Sequence, residues 1–332
     1  MNTIFFEEHF KNGTLMACMA VDLKYIAFVL KDNARNKESI EIDSLPTRLI
    51  VYSPAKNEPG SFGVRKWDYG APGLKVSAKG DDWIVCDENF QIDEVLKKTN
   101  WYPIPNNQKG HLAKGMVNID GDVYAYGIIR SIFKYIRARQ WENITDKEVH
   151  SNLFIDVETS KERMVGGWVG FNAVDGFDES DIYAGGNKGD FWHYNGNKWT
   201  RKELPLNSDI SSIACTSTGQ TYIGCRIGPV LAGRNDQWEI IDDAKQITHI
   251  AWFKGRVYFV DKLGRIYTHN DGDNNLTEAI FKTPLPDHMR HLIKGISSCK
   301  ECLVAYTEEQ AYAYDGEIWH EIIEIPSLSK NK

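Results

Sequence analysis

Short apolar segments alternate with turn residues along most of the chain, and residues 181–199 show the pattern most clearly. They read as a strand at 181–185, a turn, a second strand at 191–194, an Asn-Gly-Asn turn and then Trp199. Glycine and asparagine at such turns supply the positive φ that a tight strand reversal needs. The pattern therefore predicts a β-hairpin followed by a further strand that begins at the tryptophan.

The same unit recurs along the chain. In six segments a strand with an aromatic residue is followed 15 to 18 residues later by a tryptophan or, once, a leucine. These positions are Trp101, Trp141, Trp199, Trp238, Leu276 and Trp319. Most separations lie near 40 residues, with 58 between Trp141 and Trp199. A period near 40 is typical of β-propeller blades, whose two faces are buried only by neighbouring blades.

The fifth repeat divides into four short strands at 210–216, 220–225, 229–233 and 238–241. We expect each tryptophan to head an outer strand and to pack against the neighbouring blade. Residues before Trp83 predict one more blade, with strands at 15–21 and 24–30 and Trp67 in the tryptophan position.

We therefore predict an all-β fold, a seven-bladed β-propeller of four-stranded antiparallel blades. It forms a single domain over residues 1–326, followed by a flexible tail at 327–332. Six blades plus an N-terminal cap is the alternative. Two insertions interrupt the repeat, at about 32–62, where 49–52 reads as a strand, and at about 146–166.

The segment DIYAGGNKGDFWHYNGNKW (181–199) resembles the "GTILHYDGxxW" blades of bacterial proteins. The order of Gly185-Gly186, Tyr194 and Trp199 is also similar to kelch repeats. WD40 repeats are a poorer match, because no copy ends in Trp-Asp after a Gly-His pair. The resemblance implies a propeller and leaves the activity open, because one fold serves many functions.

The net charge of −7 over 332 residues argues against electrostatic capture of nucleic acid or of an anionic membrane. The start, MNTIFFEEHFKNG, lacks the basic region of a secretory signal. The six cysteines are scattered, and most lie in apolar segments, which favours reduced thiols. We therefore expect a cytoplasmic protein.

Two stretches have the residue types of metal sites. His288, His291, Cys299 and Cys302 suit zinc. However, a strand over 291–298 would separate the two pairs by about 26 Å, at about 3.3 Å per residue. The Cys-x-x-Cys pair also lacks the helix start that lowers a thiol pKa. The Asp- and Asn-rich stretch 269–275 lacks the glycine and glutamate of a calcium loop and predicts a hairpin turn. We expect no metal and no cofactor.

A basic cluster lies within 128–144 and comprises Arg130, Lys134, Arg137 and Arg139. Alignment with 191–194 indicates a strand there rather than an amphipathic helix. The cluster is either a partner-binding face or an edge strand protected by charge. In and just after the second insertion, Phe154, Arg163 and Trp168 are residue types common at interface hot spots, although the loop could equally be packed without function. These seven residues are the candidate partner-binding set.

Motifs for catalysis are absent from the sequence: it has no Gly-x-Ser-x-Gly, phosphate-binding loop, His-Glu-x-x-His or dinucleotide fingerprint. The predicted innermost strands carry small and apolar residues, with His249 as the exception. We therefore predict a protein–protein interaction module. The resemblance and the negative charge suggest a bacterial immunity protein that binds and neutralises a toxin, a basic one by charge complementarity. The alternatives are a propeller enzyme or sugar-binding protein with a site on the central axis and, more weakly, nucleic-acid binding through the basic cluster.

Overall fold

The computed structural model describes residue 10 and residues 13–22, 25–32, 46–52, 62–67, 75–80, 82–95, 101–105, 112–145, 149, 169–205, 207–270, 273 and 275–325. The strands in these residues form seven sheets of four antiparallel strands each. The fold is the seven-bladed β-propeller that the repeat predicts. No helix in the described residues is long and apolar enough to cross a membrane.

Each blade consists of four consecutive strands, and neighbours in sequence are neighbours in the sheet. The strands of blades one to four are β1 (Gly13–Asp22), β2 (Tyr25–Asp32), β3 (Thr47–Tyr52), β4 (Phe62–Trp67); β5 (Lys75–Lys79), β6 (Asp82–Cys86), β7 (Gln91–Glu94), β8 (Tyr102–Pro103); β9 (Ala113–Ile119), β10 (Asp122–Gly127), β11 (Ser131–Arg137), β12 (Gln140–Asn143); and β13 (Phe171–Asp178), β14 (Asp181–Gly186), β15 (Phe191–Tyr194), β16 (Trp199–Arg201). Those of blades five to seven are β17 (Ile210–Cys215), β18 (Thr221–Cys225), β19 (Val230–Arg234), β20 (Gln237–Asp242); β21 (Ile247–Phe253), β22 (Arg256–Asp261), β23 (Ile266–His269), β24 (Thr277–Glu278); and β25 (Gly295–Ser298), β26 (Leu303–Tyr306), β27 (Gln310–Tyr314), β28 (Trp319–Glu324).

The first blade differs from the sequence prediction in two details. The strand expected inside the first insertion is β3, the third strand of the blade, and it pairs with both β2 and β4. Trp67 ends β4 opposite Thr47, whereas Phe62 begins that strand opposite Tyr52. The tryptophan spacing misplaces the head of this outer strand because Phe62, rather than a tryptophan, begins it. The rest of the predicted insertion, residues 33–45 and 53–61, lies outside the described residues.

Contacts between residues divide the chain into two compact units. The first comprises Met1–Leu74, Ala251–His269 and Thr277–Lys332, and the second comprises Lys75–Ile250 and Asn270–Leu276. In the second unit, Trp199 is buried, stacks on Phe171 and donates its indole N–H to the Ile144 carbonyl at 2.8 Å. Since Ile144 directly follows the outer strand of the third blade, the predicted packing of this tryptophan against its neighbouring blade is confirmed.

Polar side chains on the first strands of blades bond to the backbone of an adjacent blade. In the second unit, Asn118 Nδ2 donates to the Ala78 carbonyl at 2.7 Å, and the Cys215 N–H donates to Asp175 Oδ2 at 2.8 Å. In the first unit, the Ala20 N–H donates to Ser297 Oγ at 3.3 Å. The inner strands therefore carry functional polar residues in addition to the small and apolar ones. These polar side chains join one blade to the next through hydrogen bonds.

Candidate functional site

Arg130, the first residue of the predicted basic cluster, is buried. Its Nε and Nη2 donate to the two carboxylate oxygens of Asp190 at 2.7 and 3.0 Å, and its Nη1 donates to the Val149 carbonyl at 2.9 Å. The guanidinium also lies 5.2 Å from the ring centroid of Trp192. This geometry assigns Arg130 to the joint between the third and fourth blades, where all three of its nitrogens donate hydrogen bonds within the protein.

The other three basic residues lie nearer to solvent. Lys134 forms ion pairs with Asp122 at 2.8 Å and with Glu179 at 2.6 Å, and those bonds raise the pKa of its ammonium. Arg137 and Arg139 are exposed at the β11–β12 turn. Of the described members of the cluster, these last two present positive charge to solvent. Phe154, Arg163 and Trp168 lie outside the described residues, so they remain a prediction.

The residues considered for zinc take part in separate local contacts. His288 Nε2 lies 3.3 Å from the Tyr312 hydroxyl, whereas the Cys299 and Cys302 sulfurs lie 3.6 Å from each other in the β25–β26 turn. Within the described residues, no three His, Cys, Asp or Glu side chains come close enough to hold a metal ion. Asp273 lies in the connection between β23 and β24, where the sequence predicts a hairpin turn.

Two histidine–carboxylate pairs in the described residues have the spacing of a catalytic dyad, namely His320 with Asp315, which is more exposed, and His193 with Asp181. His193 Nε2 lies 2.8 Å from Asp181 Oδ1, and the other oxygen of that carboxylate accepts a bond from Arg234 Nη2 at 2.6 Å. His193 also stacks on Tyr183 with 4.4 Å between ring centroids. The carboxylate is thus shared by a histidine of its own blade and an arginine of the fifth blade, which favours a structural role. His249, the exception on the inner strands, has its pKa lowered by burial and is therefore neutral at pH 7.

A cleft on the sixth blade presents exposed apolar side chains. One wall is the turn between β22 and β23, which Asp261 organises: its Oδ1 accepts the backbone N–H groups of Leu263 and Arg265, each at 2.9 Å. Its Oδ2 accepts Arg265 Nε at 2.8 Å. With the turn held in this way, Leu263 is 61% exposed.

The opposite wall is the connection that follows β24. Ala279 N–H donates to the Ile266 carbonyl at 2.9 Å and so extends the pairing of β24 with β23. Phe281 stacks on Tyr258, with 5.5 Å between ring centroids. Since successive side chains of an extended segment point to opposite faces, the inward anchoring of Phe281 turns Ile280 outward, where it is 83% exposed.

The cleft between these walls has a volume of about 420 Å³. Gly264, at φ +73°, lies against the segment after the 3₁₀ turn Asp287–Met289: a Cβ on this glycine would come within 2.7 Å of the Ile293 nitrogen. That segment carries Leu292, which is 58% exposed. Ile280 lines the cleft, whereas Leu263 and Leu292 directly adjoin the lining residues Gly264 and His291 along the chain. We call the cleft, with Leu263, Ile280 and Leu292, the blade-six surface. It lies entirely within the first unit.

Sequence reasoning missed this surface. The residues from 279 to 293 show no alternation of apolar and polar side chains, so the sequence predicts only a connection there. Of their side chains, only His288 and His291 were candidates for a site, as zinc ligands. The available signal was their length, because this connection between β24 and β25 is longer than the corresponding one between β20 and β21.

The sequence matches no family model. The solved structures to which this chain is similar include the WD40 repeats of RRP9, with a TM-score of 0.60 and 12% identity over 89% of this chain and 88% of that one. They also include the WD40 β-propeller domain of Doa1, with a TM-score of 0.58 and 10% identity over 96% of this chain and 95% of that one. At these identities the likeness concerns the fold alone, and the neighbours are WD40-like. The resemblance of residues 185–199 to kelch repeats stays a prediction.

Among curated proteins, the chain is similar to the Immune protein Tsi7 of Pseudomonas aeruginosa, with 31% identity over 214 residues. The match spans 63% of this chain and 63% of the length of that protein. The chain is therefore a seven-bladed propeller whose structural neighbours are WD40-like. One of its relatives in sequence is an immune protein.

Proposed function

We propose that this protein is a bacterial immunity protein that binds a toxin protein and neutralises it, without catalysing a reaction. The similarity to Immune protein Tsi7 is the observation that carries this proposal. The fold supports it, because the rigid blades of a propeller present turns and connections that suit protein contacts. The six cysteines are free thiols, which supports a cytoplasmic location.

We assign the toxin contact to the blade-six surface. Three large aliphatic side chains that are more than half exposed lie on the segments that form one cleft, and isolated exposure of that size is common whereas clustering is not. Ile280 and the packed Phe281 and Leu285 form part of the lining of this cleft. An apolar side chain of the toxin that enters such a cleft would form the desolvated centre of an interface.

The two arginines that line the cleft are paired with carboxylates of this protein. Arg265 Nη2 lies 2.7 Å from Asp261 Oδ2, and Arg290 Nε lies 3.3 Å from Asp287 Oδ1. The contact at the cleft is therefore governed by apolar burial rather than by charge. The overall charge of −7 acts at longer range and favours the approach of a basic toxin.

Binding to the protein encoded by the adjacent gene tests both parts of the proposal. We expect Ile280→Glu to weaken the complex by about 30-fold, which corresponds to about 2 kcal/mol at a hot spot. Ile227→Glu is the matched control, because Ile227 is 70% exposed and lies in the second unit. Both substitutions lie at exposed positions, so both variants should fold as the wild type does.

The outcomes separate the function from the surface. A wild-type chain that binds no toxin and gives no protection to cells that express one would refute the immunity function. Binding that is lost in Ile227→Glu and kept in Ile280→Glu would leave the function standing and refute the assignment to the blade-six surface. Arg137→Glu, at an exposed member of the basic cluster, tests the alternative interface in the same assay.

A further inference from the structure

We propose that Cys299 and Cys302 form a redox-active pair that a hydroperoxide converts into an intramolecular disulfide. Both residues lie in the first unit, where they flank Lys300 and Glu301 in the turn between the first and second strands of the seventh blade. In the structure the pair is reduced, and the two sulfurs are 3.6 Å apart.

The backbone of the turn already has the geometry that a disulfide requires. The pairing of β25 with β26 ends at Ser298 opposite Leu303, and the Cys299 N–H donates to the Cys302 carbonyl at 3.0 Å. The two cysteines are therefore directly opposite each other. Such a hydrogen-bonded pair has its Cα atoms about 5.5 Å apart, within the range of about 4.4 to 6.8 Å that disulfides span. Closing the sulfurs to about 2.05 Å needs side-chain rotation and no change of the strand register.

The two thiols differ in ways that suit a nucleophile and a resolving group. Cys299 is partly exposed, and the hydrogen bond from the Cys302 thiol lowers the pKa of Cys299. Cys302 is buried, and its pKa is raised by its interaction with Cys299 and by burial. The lowering at Cys299 arises from the neighbouring thiol in the turn, so a helix start is not required.

The chemistry balances with a hydroperoxide as the oxidant. The Cys299 thiolate attacks one peroxide oxygen, the O–O bond breaks, and Cys299 becomes a sulfenic acid while the other oxygen leaves as hydroxide or alkoxide and takes up a proton. The Cys302 sulfur then attacks the Cys299 sulfur, forms the S–S bond, loses its proton and releases water. Two thiols are oxidised and one peroxide is reduced.

Cys18 is a competing thiol in the same part of the core. It packs in the same cluster as Cys302. Burial raises the pKa of Cys18 well above its usual range, so it stays a protonated and poor nucleophile. The proposal therefore predicts one bond, between Cys299 and Cys302, and no bond to Cys18.

Oxidation of the full-length chain, followed by mass spectrometry of its tryptic peptides, tests the proposal directly. The reduced protein is treated with one equivalent of hydrogen peroxide, unfolded in the presence of N-ethylmaleimide and digested with trypsin. Cleavage after Lys300 separates peptides 295–300 and 301–330, so only a Cys299–Cys302 bond keeps them together. We expect that linked pair, with four of the six cysteines still alkylated, and its loss on treatment with dithiothreitol.

Two variants assign the roles. Cys302→Ser should stop at the sulfenic acid, which dimedone then labels at Cys299, whereas the control Cys225→Ser should form the linked peptides as the wild type does. Circular dichroism confirms that each variant is folded. A linkage that joins Cys18 to Cys302, or oxidation that leaves peptides 295–300 and 301–330 separate in the wild type, would overturn the proposal.

Discussion

Replacing Arg130 by methionine tests whether the basic cluster is partly a structural device. Arg130→Met keeps most of the apolar stem and removes three hydrogen bonds, two to Asp190 and one to the Val149 carbonyl. The buried Asp190 carboxylate would keep the Trp192 indole N–H, at 2.9 Å, and a distant Arg201, at 4.0 Å. Removing one partner of a buried ion pair costs about 3 to 5 kcal/mol, because the other charge stays buried and uncompensated.

The double variant Arg130→Met/Asp190→Asn separates charge burial from general packing. With both charges removed, no carboxylate is left uncompensated, so we expect the double variant to lose less than the sum of the single losses. The loss in the double variant should be smaller than the sum of the two single losses by about 1 to 3 kcal/mol, as for other residues in direct contact. Arg137→Met is the control within the same cluster, because Arg137 is exposed and bonds to Gln140, and it should change stability by about 0.5 kcal/mol or less.

Urea unfolding followed by tryptophan fluorescence measures these free energies. If Arg130→Met lowers the free energy of unfolding by less than about 1 kcal/mol, or if Arg137→Met lowers it equally, then the buried pair is not what holds this joint. Additive single losses would also refute the reasoning, because they would mean that the two charges do not depend on each other.

Two further substitutions test other parts of the second unit. Burial raises the pKa of Asp175 to about 7, so the folded state retains this proton at pH values where the unfolded chain has lost it. The stabilising contribution of the protonated carboxyl is complete below about pH 4. It is lost as the pH rises to about 7, and the loss is at most about 4 kcal/mol. Asp175→Asn should therefore flatten this part of the curve of stability against pH, and an unchanged slope in thermal unfolding from pH 4 to 7 would contradict the assignment. At Gly186, a Cβ would lie 2.2 Å from the Gly170 carbonyl oxygen, so Gly186→Ala should lower the free energy of unfolding by about 1 to 3 kcal/mol; a thermal midpoint equal to that of the wild type would show that the backbone yields at little cost.

The strands could be predicted from the sequence where turn residues mark their ends. In the fifth blade, β17 to β20 begin and end within a residue of the predicted limits, because glycine, asparagine and aspartate interrupt the apolar runs there. The first blade shows the limit of this approach. The tryptophan spacing that identified the other blades placed Trp67 at the wrong end of β4, because nothing local says which end of a strand an aromatic residue occupies.

The candidate sites depend on contacts that no local pattern contains. Arg130 looked like a surface charge, and its burial follows from Asp190, which lies on the next blade. The direction of Ile280 is likewise set by Tyr258, because that ring holds Phe281 inward. The Cys-x-x-Cys spacing of Cys299 and Cys302 could be recognised in the sequence. The effect of one thiol on the pKa of the other depends on the distance between the two sulfurs, which only the structure gives.

The anchoring of Phe281 also bears on how binding specificity could change over time. Phe281 is held by Tyr258, and its ring centroid lies 5.0 Å from those of Tyr314 and Trp319, so the backbone at Ile280 is set by the aromatic packing of Phe281. Position 280 can therefore accept many side chains without loss of the fold. Substitution at this one exposed site could retune recognition from one partner to another while the aromatic residues beneath it stay unchanged.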